Sequence, residues 1–121
     1  MTGLVITTEN EMHKVAYDPP HYEVIQEAVG GNCELVCPKG LQKPYCMMVN
    51  EEGRLLGMPL NPLGSYLCGT LIHGSFIVGD VIILRLGHYA GEPDLVGMSD
   101  EEAQQLGDWF VKISMGVVHW R

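Results

Sequence analysis

The chain has 121 residues and a mass of 13.4 kDa, with 46% hydrophobic residues, 18% charged residues and a net charge of −8. A chain of this length folds as one domain, here 1–121, and buries roughly two-thirds of the surface its unfolded form exposes, so neither disulfides nor a metal are needed for a core. Fifteen acids face seven Lys and Arg; with only Lys39 and Lys43 close together, the phosphate neutralisation that direct nucleic-acid binding requires is excluded.

Leu4–Thr8 is short and β-branched and predicts a first strand; His13–Tyr17 alternates polar and apolar residues as a half-buried second strand does. Asp18-Pro19-Pro20 predicts a helix start, with Asp18 as N-cap and proline in the first turn. Tyr22, Val24, Ile25, Ala28 and Val29 then share one side at helical spacing, and Gly30-Gly31 supplies a left-handed C-cap. Cys33–Cys37 predicts a third strand, and the nearly all-apolar Tyr45–Val49 a strand covered on both faces.

Asn50–Gly53 fits a tight turn, after which Arg54–Leu56 is expected to return as the partner strand of a hairpin with an acidic tip. Gly57 and Pro59 make its far end irregular, as at an edge or bulge. Asn61-Pro62 repeats the cap-then-proline pattern for a short helix with Leu63, Tyr66 and Leu67 on one side, stopped by Gly69. Leu71–Val78 and Val81–Leu86 predict two strands joined at Gly79-Asp80, and Gly87–Gly97 a loop. Ser99–Glu102 is a capping-box pattern opening a helix whose apolar stripe is Ala103, Leu106, Trp109, Phe110 and Ile113. Residues 115–121 form either a last strand through Val117 and Val118 or a frayed, flexible tail.

These elements predict an α+β fold: a mostly antiparallel sheet of about six or seven strands with two main helices. The opening order strand-strand-helix-strand also fits a β-grasp-like N-terminal half. The expected core is Val5, Val24, Ile25, Val29, Leu35, Met48, Leu55, Leu67, Ile77, Ile83, Leu106 and Phe110.

The chemistry is sparse. The cysteines (Cys33, Cys37, Cys46, Cys68) lie among apolar neighbours without a Cys-x-x-Cys pair, so they are expected reduced and buried, and no metal or cofactor is expected. No Gly-x-Ser-x-Gly, Walker or Gly-x-Gly-x-x-Gly pattern is present. His73 is the one residue with a catalytic reading, as a base beside Cys68 or Cys46; the competing reading is an ordinary hydrogen-bonded strand histidine. Tyr66, His73, His88 and Tyr89 are candidates for lining a pocket. The start of the chain lacks a basic leader and no apolar run reaches a membrane span of about 20 residues, so a cytoplasmic protein without membrane contact is expected.

One resemblance adds to this reading. Ile25–Gly31, Val49–Asn61 with its core Asn-Glu-Glu-Gly-Arg-Leu-Leu-Gly, Ile72–Gly79 and Met98–Glu102 together resemble a family of small domains of unknown function encoded by phages, plasmids and integrated elements, mainly of Firmicutes. The similarity runs from Leu4 to about Val111. It implies a mobile-element setting and carries no catalytic residues. The leading expectation is an accessory protein that binds a host or element-encoded protein, with contacts at Asn50, Glu51, Glu52, Arg54 and Met58. A homodimer is compatible with it. The alternatives are a protein that binds or sequesters a small molecule or nucleotide, and a small enzyme using His73 with a cysteine.

Overall fold

A computed structural model describes residues 1–69 and 76–121. Seven strands form one sheet: β1 (Thr2–Ile6), β2 (Glu11–Ala16), β3 (Cys33–Val36), β4 (Tyr45–Asn50), β5 (Val81–Tyr89), β6 (Glu92–Val96) and β7 (His119–Trp120). The order is β3-β4-β5-β1-β2-β7, with β6 paired to the far half of β5. Every pairing is antiparallel except the short β2–β7 contact. The described helices are α1 (Glu23–Val29), α2 (Pro62–Leu67) and α3 (Asp100–Ile113). The fold is thus the α+β sheet with two principal helices that the element pattern predicts. Among the described residues β1 pairs antiparallel with both β2 and β5, so the β-grasp alternative, in which a later strand runs parallel beside the first, is not formed.

The centre of the sheet is buried on both faces because the stretches 4–6, 46–49 and 81–84 of its central strands are apolar at every position. Along β5, Val81 and Ile83 join Leu4, Ile6, Met47, Phe110 and Leu67 in a core under α2 and α3. Ile82 and Leu84 point the other way, to Val5, Cys46, Ile25 and Val29 under α1. Each such side chain contributes about 1.5–3 kcal/mol on burial, so the continuous runs in β1, β4 and β5 fix a three-layer arrangement.

Four expected elements are corrected, and with them part of the expected core. Asp18 does not cap α1: Tyr17 N–H bonds to Met1 O, which brings the chain start beside Asp18, and the carboxylate pairs with the terminal ammonium at 3.0 Å. The helix starts at Glu23, five residues after Asp18, with Tyr22 in the cap position and no side-chain cap bond; Gly30 does close it, at φ 81°. Second, Arg54–Leu56 is no strand. Both edges of β4 are taken by β3 and β5, which leaves nowhere for it to pair, and Leu55 is 88% exposed.

Third, the 76–78 part of the strand expected at Leu71–Val78 does not pair with β5, whose edges belong to β1 and β4; Val78 bridges Leu60 instead. The rest of that predicted strand, with His73, lies outside the described residues. Fourth, Gly87–Gly97 is largely a hairpin: β5 and β6 meet at Ala90-Gly91, both at positive φ (52° and 82°), as a two-residue type I′ turn requires. Leu35 leaves the expected core, 45% exposed on the edge strand β3.

Candidate functional site

The turn after β4 is built from the Asn50 side chain. Its Nδ2 donates to Val29 O at 3.1 Å and its Oδ1 accepts from Glu52 N–H at 2.8 Å. Leu56 N–H then bonds to Glu52 O, Gly57 N–H to Arg54 O and Met58 N–H to Gly53 O. Gly57, at φ 68°, reverses the chain. Arg54 Nη2 donates to Phe76 O at 2.8 Å and ties the turn to the 76–78 segment. Close approach explains two glycines here: a Cβ on Gly79 would lie 2.8 Å from Met58 Sδ, and one on Gly53 2.8 Å from Val78 Cγ2.

The consequence is a well-bonded turn that holds Leu55 and Leu56 in solvent, 88% and 61% exposed. Beneath it runs a cleft of about 330 Å³, lined by Glu34 and Val36 of β3, Glu51, Arg54 and Leu55 of the turn, and Phe76. Of the sequence-derived contacts, Glu51 and Arg54 are exposed and line this cleft, Glu52 is exposed on the turn outside it, and Asn50 is buried and spent on the turn itself. Met58 faces a separate shallow cavity with Gly30 and Asp80.

The pocket candidates are not brought together. Tyr66 lines a small cavity between α2 and the 113–118 segment, His88 lines one beside β6, and Tyr89 sits at the tip of the β5–β6 hairpin. The cysteines also depart from expectation: Cys46 alone is buried, Cys33 and Cys68 are half-buried, and Cys37 is exposed because β3 ends before it at the sheet edge. Burial pushes the Cys46 thiol up to about 12 and raises that of Cys68, which leaves both protonated at neutral pH and poor nucleophiles. No group of three or more His, Cys, Asp or Glu among the described residues could hold a metal ion.

A second constellation was not foreseen. Tyr45 and Arg85 are opposed on β4 and β5, so both leave the sheet on the α3 side and meet Glu102. The Glu102 Oε2 accepts from Tyr45 Oη and from Arg85 Nη1, each at 2.8 Å, while its Oε1 accepts from Ser99 N–H in the capping box. These hydrogen bonds, that of Ser99 first, hold the carboxyl below its usual range; burial and the bond to Glu102 raise the Tyr45 phenol. Beside the trio lies a cleft of about 530 Å³ that Lys39, Gln42, Gln105 and Trp109 complete. The capping box was readable in the sequence; that its glutamate has a second oxygen free for the sheet was not.

The sequence model of a domain of unknown function, DUF3846, matches residues 1–111. The chain belongs to the DUF3846 family. No curated protein and no solved structure matches it. The DUF3846 match contains the turn, both clefts and all strands but β7, and ends inside α3.

Proposed function

We propose that this DUF3846 protein is a cytoplasmic accessory of a phage or other mobile element that acts by binding another protein, host- or element-encoded, through the 51–58 turn. The observation that carries the reading is the pair Leu55 and Leu56, held in solvent by a turn with a closed hydrogen-bond pattern. Leaving a leucine exposed forgoes about 1.5–3 kcal/mol of burial, and neither side chain has a folding reason to be there. Contiguous apolar surface rimmed by charge, here Glu51, Glu52 and Arg54, is characteristic of protein contact sites. The mobile-element setting rests on the resemblance of the 50–57 run and its companions alone. Affinity capture with the wild-type chain and with Leu55→Asp tests the reading. A protein recovered by the former and lost with the latter, at unchanged thermal stability, supports it; equal recovery contradicts it.

The α3 cleft favours a second reading, a small-molecule or nucleotide binder. Its volume falls in the usual ligand range of roughly 300–1,000 Å³, and Tyr45 and Trp109 give it aromatic walls beside two amides and Lys39. A thermal-shift screen over a nucleotide panel tests it; a flat profile removes it.

A further inference from the structure

The strand β3 stands at one end of the sheet, bonded to β4 on one side and, among the described residues, to nothing on the other. The direction of its free groups follows from the register. Glu51 N–H bonds to Asn32 O at 2.8 Å, so Asn32 faces β4. Since inward and outward residues alternate in an antiparallel ladder, Glu34 and Val36 also face β4, and the N–H and C=O of Cys33 and Leu35 point outward. An edge with unpaired main-chain groups is a template for another strand.

Both faces beside this edge are hollow. Glu34 and Val36 line the 330 Å³ cleft that Leu55 and Phe76 wall. Leu35 points to the opposite face, where it lines a second cavity of about 470 Å³ with Leu86 and Leu95. A strand laid along β3 would set alternate side chains into one hollow and then the other. The first hollow carries Glu34 and Glu51, neither in an ion pair among the described residues, and one cation, Arg54, whose Nη2 donates to Phe76 O; the second is mostly apolar. Pairing two copies through this edge would bring these carboxylates together on chains of net charge −8.

We propose that β3 is the docking edge for an extended segment of a partner protein, added as a further strand. The segment presents apolar residues on the Leu35 side and Lys or Arg residues opposite Glu34 and Glu51. This inference rests on the protein-binding reading above and extends its surface from the turn to the neighbouring strand.

The test uses the full ¹⁵N-labelled chain and two capped peptides, one alternating Val and Lys and one alternating Val and Glu. The Val–Lys peptide should shift the resonances of 33–36 saturably and slow exchange of the Leu35 amide; the Val–Glu peptide should bind about tenfold more weakly or worse. Leu35→Pro removes an outward donor that no native bond uses, a substitution tolerated at an edge, and should abolish the Val–Lys response while keeping a dispersed spectrum. If that variant loses its dispersed spectrum, Glu34→Lys replaces it and should invert the preference between the peptides. Shifts away from β3, equal binding of both peptides, a response unchanged by Leu35→Pro, preference unchanged by Glu34→Lys, or self-association through β3 without peptide would overturn the proposal. The two readings fail separately. Capture that is lost with Leu55→Asp but kept with Leu35→Pro removes the edge alone, and a β3 response to peptide with capture unaffected by Leu55→Asp removes the turn alone.

Discussion

Asn61 has no exposed surface, and three partners share its side chain. The Nδ2 group donates to Ile6 O and Gly79 O, and Oδ1 accepts from Gly64 N–H, all at 3.0 Å. One residue thus caps α2, closes the end of β1 and holds the turn before β5. Loss of the cap costs about 1 kcal/mol, and each stranded buried group about 1–3 kcal/mol. Asn61→Ala should therefore destabilise the fold by about 2–4 kcal/mol in urea titrations, and Asn61→Asp should not rescue it, because a carboxylate would oppose two carbonyls. Glu102 supplies a pH dependence. Its carboxyl is held below the ordinary value by the Ser99 N–H first, then Tyr45, with Arg85 adding to them. A depressed acid stabilises the fold above its unfolded pKa of about 4.3, and that stability is lost as pH falls through the lower folded value. Glu102→Gln should cost about 1–2 kcal/mol at neutral pH, and its deficit against the wild type should shrink in urea titrations near pH 3. A deficit independent of pH would contradict the assignment.

At the scale of elements, α3 and β7 show how the end of the chain is fixed. The Trp120 ring lies against Gly107 so closely that a Cβ there would stand 2.1 Å from Cζ2. The indole Nε1 donates to Asp108 at 2.8 Å, and the Lys14 ammonium lies 5.6 Å from the ring centroid. Gly107→Ala must displace the ring and should cost about 1–3 kcal/mol, read as a lowered melting temperature with changed tryptophan fluorescence. The elements legible in the sequence were those specified by their own residues: the capping box of α3, the Asn61 cap of α2, the Gly30 end of α1 and the two-sided apolar strand β4. The illegible ones depended on which strand edges were already occupied. Arg54–Leu56 reads as a strand until β3 and β5 flank β4. The 87–97 stretch reads as a loop because Ala90 gives no sign of its positive φ. For the candidate site, Glu51, Glu52 and Arg54 were legible as contact residues, but that Arg54 also ties the turn to Phe76 O, and that Leu55 and Leu56 are exposed, followed only from the failed pairing. The Tyr45–Arg85–Glu102 trio needed the β4–β5 register.

Taken whole, the molecule is a sheet sealed in its middle and open at one end. Its centre is covered by α1 on one face and by α2 and α3 on the other, whereas the β3 end carries the exposed leucines, two hollows and an edge unpaired among the described residues. Among the described residues no helix is long and apolar enough to cross a membrane. The acidic balance of −8 steers basic partners toward the surface and repels copies of the chain. Site-specific photo-crosslinking in cells is the most direct test of a protein-binding function, with the crosslinking residue placed at Leu55 in one variant and at Trp109, beside the α3 cleft, in another. Discrete protein adducts are expected from position 55 and none from position 109. Adducts from position 109 alone, or from neither position, would contradict protein binding through the turn.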